Sequence, residues 1–254
     1  MNLLRRFFAP IVGIVGFLVA WEAFVRIFDV RRYVLLAPSR ILTELFAAPG
    51  FYWDNTLITA GHMLLGLAIS LVLSILVGAA LASSRFSEEA AQPILVLFLV
   101  TPWVAYFGSI KVWLGFGIAP IIFLAAFTAF PVLTFGVVGG MRSADPSARE
   151  LLASVDARPW EVFWFLRLPA ALPSIFTTAR FALGIGLAAT YFSEGRSNRT
   201  TGLGAIGSRV DLQPLTAAEV LWTTVFCTAA LGIVVLIAIS ALERFALKWH
   251  ASQR

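Results

Sequence analysis

Residues 55–84 contain no Asp, Glu, Lys or Arg, and the same is true of 7–21, 90–110, 112–141, 181–193 and 220–242. Charge-free runs of this length fix the solvent before they fix the fold, because a formal charge near the middle of a bilayer costs on the order of 3 kcal/mol. A helix needs about 20 residues to cross some 30 Å of hydrocarbon at 1.5 Å per residue. The runs accommodate six helices, at about 8–28, 61–83, 92–112, 118–140, 174–193 and 220–242. Two of these are less clean: Glu22 and Arg26 fall in the first, and Arg180 in the fifth. The expected fold is therefore all-α, a polytopic membrane protein with about six transmembrane helices.

Composition agrees. Of 254 residues 59% are apolar and only 13% charged, and the mean hydropathy is +0.88. A soluble domain carries roughly 25% charged residues. Disorder has the opposite signature of low hydrophobicity and high net charge. The net charge of +5 does not point to nucleic acid. No stretch clusters five basic residues, and basic groups at the ends of spans orient a membrane protein and meet anionic lipid. Cys227 is the sole cysteine, so neither an intrachain disulfide nor a CxxC site is possible. His62 reads as a polar packing residue and His250 as part of the tail, and no metal site is expected.

Arg5 and Arg6 precede an apolar stretch, but no small-x-small cleavage pattern follows and the run continues through Trp21–Phe24. A retained first helix is expected rather than a signal peptide. With the N-terminus placed in the cytoplasm, the inner loops hold ten Lys or Arg and the outer loops seven, which favours cytoplasmic N- and C-termini.

The stretch 141–173 is no simple connector. Asp145 followed by Pro146 is a helix start, with an acceptor at the N-cap and a ring suited to the first turn. The next turns place Ala148, Leu151, Leu152 and Val155 on one side, with Arg149 and Glu150 exposed. A second start at Pro159 leads into Trp160, and Pro169 and Pro173 are expected to stop it before the fifth span. Two short amphipathic helices joined at a corner should thus lie on the cytoplasmic face between spans four and five.

This loop resembles that of the inner-membrane permease subunits of bacterial ABC importers, which carry a Glu-Ala-Ala, three residues, Gly, and then a Leu-Pro. Here the corresponding residues are Glu150, Leu151, Leu152, then Asp156 in place of the Gly, then Leu168-Pro169 and the second Pro173. Further strings are similar to the branch that imports nitrate, taurine, alkanesulfonates, bicarbonate or thiamine precursors. They are Trp21–Phe24, "APSRIL" at 37–42, "NTLITAGHMLLGLAIS" from Asn55, "WLGFGIAP" at 113–120, "TTGLGAIG" at 200–207 and "LERF" at 242–245.

The resemblance implies a transport subunit that forms the pathway for a small anionic or heterocyclic solute. Its loop would be a coupling helix docked on a separate ATPase, with Glu150, Leu151, Leu152, Asp156 and Trp160 in contact. It implies two ATPase subunits, a second permease copy that makes a homodimer, and a periplasmic or lipid-anchored solute-binding protein delivering to loops 29–60 and 194–218. It divides the chain into an N-terminal helix and outer loop (1–60), a permease core (61–245) and a cytoplasmic tail (246–254). Leu151 and Leu152 exceed the usual alanines, which requires a wider groove on the partner. Asp156 either keeps the left-handed turn that glycine makes there or caps the helix at Pro159.

Other residues carry two readings each. Lys111 is a snorkelling amine at the outer end of span three, or, with Trp113, it draws an anionic substrate into the pathway. Pro102, beside Trp103 and Tyr106, frees a carbonyl in span three, which suits a pathway-lining helix. Arg180 snorkels, since Glu22 and Glu194 lie too far toward the outer side to pair with it. Glu194 and Arg196 open the outer loop as contacts for a binding protein or a gate.

Neither Lys111 nor Lys248 follows a glycine-rich phosphate loop. No cofactor is expected in this chain, and ATP with magnesium belongs on the partner subunit. A secondary carrier would show internal repeats and charges at mid-membrane, and an enzyme would need a nucleophile with its base or a metal cluster. The sequence displays none of these.

Overall fold

The computed structural model describes residues 3–211 and 218–248. His250 and the rest of the tail lie outside the described residues, as do 212–217 of the second outer loop. Every regular element among the described residues is helical: α1 (Leu3–Ile27), α2 (Pro38–Ala47), α3 (Pro49–Ala82), α4 (Arg85–Val100), α5 (Trp103–Leu114), α6 (Ala119–Arg142), α7 (Pro146–Ser154), α8 (Pro159–Val162), α9 (Leu168–Arg196), α10 (Leu203–Gly207) and α11 (Ala218–Ala246), with a π-turn at Phe163–Arg167 and a 3₁₀ turn at Ser208–Asp211. Four helical segments are long and apolar enough to cross a membrane, namely α3, α6, Pro159–Arg196 and α11, and the bent pair α4–α5 makes a fifth if it is one span. The first expected span falls on α1, a continuous helix of 25 residues.

The bundle is organised around α6, whose apolar stretch is 67% buried and which packs along both α3 and α9. Its neighbours meet it through small residues rather than large ones. On α3 the buried positions Gly66, Ser70, Ser74, Gly78 and Ala82 recur every fourth residue, while Leu57, Leu64, Val72 and Leu76 face outward. Apolar burial gives no reward in lipid, so helices associate where small side chains let backbones approach and where hydroxyls find partners. Ser74 Oγ donates to the Phe130 carbonyl at 3.1 Å, and Thr134 Oγ1 donates to the same carbonyl at 2.7 Å. At Gly140 of α6 an added methyl would lie 2.7 Å from the Ala171 Cα of α9.

Three expectations are corrected. The helix expected at 92–112 is two helices bent by 94°. Pro102 removes a donor and holds Thr101 extended, so α4 ends at Val100, and the Thr101 amide and hydroxyl close its last turn on the Leu97 carbonyl at 3.0 and 2.6 Å. Pro169 and Pro173 do not stop the helix begun at Pro159. It runs on for 38 residues to Arg196. The π-turn, closed by Leu168 N–H on the Phe163 carbonyl, inserts an extra residue just before Pro169 and relieves its clash with the preceding turn. Third, α3 begins at Pro49 rather than near residue 61, so the segment expected as outer loop already holds α2 and three turns of α3.

Candidate functional site

The α7–α8 corner is built as its residues dictate. Asp145 accepts the Ser147 amide at 2.9 Å and starts α7. Asp156 ends it, with φ +50°, while the Asp156 and Ala157 amides donate to the Ala153 and Leu152 carbonyls at 3.2 and 3.0 Å. This is a Schellman closure with an aspartate in the left-handed position glycine usually takes. Of the two roles open to Asp156, the turn is the one it plays. The cap of α8 is instead Arg158, whose amide donates to Glu161 Oε2 at 2.6 Å.

No residue of α7 is buried. Glu150 is exposed. Leu151 and Val155 are 66% and 67% exposed, Leu152 is half-buried, and Trp160, 67% exposed, rests edge-on against Trp164 at 5.2 Å. On the apolar side of α7, Leu151 and Val155 therefore stay largely uncovered by the described residues, while Ala148 and Leu152 are partly covered.

At the opposite end of Pro159–Arg196 lies a second cluster. Glu194 was expected to begin the outer loop, but it sits two residues before the end of α9 and is 0% exposed. Its Oε2 accepts from Thr59 Oγ1 at 2.8 Å and from the Gly204 amide at 3.0 Å, and its Oε1 lies 2.8 Å from His62 Nδ1. Thr59 Oγ1 accepts the Leu203 amide at 2.8 Å, and Asn55 Oδ1 accepts the Gly202 amide at 2.7 Å.

The first amides of α10, which have no partner within the helix, are thus held by side chains of α3 and α9. Glycine is required here for two reasons: Gly202 has φ +105°, and a methyl at Gly204 would fall on the Tyr191 carbonyl. A buried carboxylate persists where donors surround it: Thr59 Oγ1 and the Gly204 amide donate to Glu194, and His62 Nδ1 adds a third donor in the tautomer that carries its proton there. We call this arrangement the latch. Asn55, Thr59 and His62 escaped the sequence reading as a group, although spacings of four and three place them on one helical face.

The remaining expected residues are distributed as follows. Lys111 Nζ donates to the Arg196 carbonyl at 2.9 Å and lies 5.2 Å from the Phe107 ring, so the amine closes the last turn of α9 rather than standing free. Arg196 itself is exposed. Trp103 packs edge-on against Phe192 at 5.6 Å, which ties it to the bundle. Pro102 is the N-cap of α5. Tyr106 and Trp113 line an apolar cavity of about 400 Å³ with Phe98, Phe123 and Phe127. Arg180 does not snorkel alone but pairs with Glu243 of α11, a partner one residue beyond the charge-free run 220–242. No group of three or more metal-ligating side chains occurs among the described residues.

Residues 70–248 match the family described as binding-protein-dependent transport system inner membrane component. The chain is 25% identical over 245 residues to the formylaminopyrimidine transport permease protein ThiX of Halalkalibacterium halodurans, covering 96% of each chain. It is 27% identical to the riboflavin transport system permease protein RibX of Chloroflexus aurantiacus, covering 98% of this chain and 94% of that one. With the taurine transport system permease protein TauC of Escherichia coli it shares 25% identity over 84% of this chain and 79% of the relative. Among solved structures, a chain of the inward-facing MetNI methionine ABC transporter superposes with a TM-score of 0.62 at 18% identity, covering 80% of this chain and 97% of that one, a likeness of fold. An all-helical bundle with an uncovered corner at one end, matched to that family over most of its length, identifies the chain as a member of the binding-protein-dependent transport system inner membrane component family.

Proposed function

We propose that this permease subunit of an ATP-driven importer transmits the motion of a separate ATPase from the α7–α8 corner to the latch through the helix Pro159–Arg196. The observation that carries this reading is the continuity of that helix, roughly 55 Å long at 1.5 Å per residue, with Trp160 near one end and Glu194 near the other. A continuous element packed against both sites is one physical route by which coupling between them is carried.

In this reading Glu150 offers a carboxylate, and Leu151, Leu152 and Trp160 an apolar surface, to a groove on the ATPase. Asp156 sets the angle between the two short helices. Two ATPase subunits, carrying ATP and magnesium, serve two identical permease copies. Both termini are cytoplasmic, so the latch lies toward the outer face, where a periplasmic or lipid-anchored binding protein delivers the solute near Arg196. Tyr106, Trp113 and the bend at Pro102 line part of the pathway, with Trp103 and Lys111 behind it as supports. The relatives named for formylaminopyrimidine, riboflavin and taurine fit a small heterocyclic or anionic solute. Alternating access is a two-state rearrangement in which the latch is made in one state and broken in the other.

The test is transport by the assembled complex in proteoliposomes. Glu150→Ala should retain ATP hydrolysis while uptake per ATP falls. Unchanged uptake per ATP would remove Glu150 from the coupling surface.

A further inference from the structure

Beside the corner, and separate from its uncovered apolar face, four arginines from four elements meet around one cavity. Arg85 starts α4, Arg142 ends α6, Arg149 lies on α7 and Arg167 ends the π-turn, and all four line a space of about 580 Å³ together with Ser83 and Ser84. Arg142 is neutralised by Glu88 at 2.6 Å and also donates to the Ser84 carbonyl at 3.1 Å. Arg85, Arg149 and Arg167 have no carboxylate partner among the described residues. Arg167 is half-buried and stands in the repulsive field of Arg149 and Arg142. Arg85 and Arg149 are exposed, so solvent screens part of the repulsion among the three uncompensated guanidinium groups, and an anion between them would relieve the rest; guanidinium forks match phosphate oxygens in particular.

The position of the cavity indicates which anion. It lies where α3, α6 and Pro159–Arg196 leave their apolar stretches, and in a bundle whose apolar stretches fill the hydrocarbon core that is the level of the headgroups. Exposed aromatic side chains flank its arginines in sequence, Phe86 next to Arg85 and Phe165 two residues before Arg167. Basic pockets between helices at this depth bind phospholipid headgroups. We infer that this cavity binds the phosphate of an anionic phospholipid, bridging Arg149 of α7 to Arg85, Arg142 and Arg167. The lipid pins the α7–α8 corner against the ends of α3 and α6 without occupying the face left for a protein partner.

Native mass spectrometry of the purified full chain tests this, with phosphatidylglycerol titrated against phosphatidylcholine in neutral detergent. The wild type should retain phosphatidylglycerol selectively. The double variant Arg149→Gln, Arg167→Gln should bind it roughly thirtyfold more weakly, at about fivefold per lost charge. Arg149→Lys with Arg167→Lys keeps the charges but not the forks and should restore part of the binding lost in the Gln variant, which separates loss of the site from loss of the fold. Competition by millimolar inorganic phosphate at wild-type arginines would still place a phosphate site in the cavity, with a soluble rather than a lipid source. Equal retention of both lipids by the wild type, or phosphatidylglycerol binding unchanged in the Gln variant, would overturn the proposal. Unchanged lipid binding together with loss of ATPase association would assign the arginines to a protein contact instead.

Discussion

Thr59 Oγ1 stands between the Leu203 amide, which it accepts at 2.8 Å, and Glu194 Oε2, to which it donates at 2.8 Å. One hydroxyl thereby joins α3, α9 and the start of α10. Thr59→Val keeps the shape and deletes the hydroxyl, leaving the Leu203 amide without its acceptor. The expected cost is about 1–3 kcal/mol for a buried group left unpaired, read as a lower thermal midpoint of the purified protein.

Glu194→Ala should be the more damaging change, because it strips an acceptor from Thr59, His62 and the Gly204 amide together. A loss larger than that of Thr59→Val is expected, since several buried groups lose their acceptor at about 1–3 kcal/mol each. Glu194→Gln, which retains one carbonyl oxygen, should fall between alanine and the wild type. A thermal midpoint for Glu194→Ala equal to that of Thr59→Val would contradict the ranking.

Asp156 gives a test of opposite sign. Its φ of +50° is a conformation glycine adopts freely. Asp156→Gly should therefore leave stability and ATPase binding near wild-type values or improve them. Asp156→Val, β-branched in a left-handed position, should cost about 1–3 kcal/mol and weaken association with the ATPase. Equal pull-down of the ATPase by both variants would show that the turn does not set the docking angle.

The Arg180–Glu243 pair links α9 to α11 where the sequence offered no visible partner. Arg180→Ala and Glu243→Ala should each destabilise the protein, and the double variant should lose less than the sum. The coupling energy expected of two groups in direct contact is about 0.5–3 kcal/mol. Strict additivity in chemical denaturation would mean that the pair contributes nothing as a pair.

These residues also mark where the sequence was legible. Charge-free runs located the long helices because lipid excludes charge, and Asp145-Pro146 announced α7 because its capping chemistry is local. Pro169 misled, since the rule that proline ends a helix assumes an α-helical turn before it, and a π-turn supplies the room instead, whereas Pro173 is carried inside α9 with no such turn before it. Glu194 misled for a related reason. A carboxylate at the end of an apolar run was placed outside, whereas polar partners drawn from residues 59, 62 and 204 make burial favourable. Arg180 found its partner 63 residues away, at a contact that no local pattern encodes. On the α7 face that the pattern identified as apolar, Leu151 and Val155 stay exposed, the surface that the proposed docking on an ATPase would cover.

The central claim is that the α7–α8 corner and the latch are two ends of one moving element. The most direct measurement is amide hydrogen exchange of the peptide spanning Thr200–Ser208 in the assembled transporter, before and after nucleotide trapping of the ATPase. The Gly202, Leu203 and Gly204 amides, all donated to side chains of α3 and α9, should be protected in one state and should exchange together in the other. Glu150→Ala should abolish the difference between states. Protection that is identical in both states of a wild-type transporter still importing its solute would contradict the account.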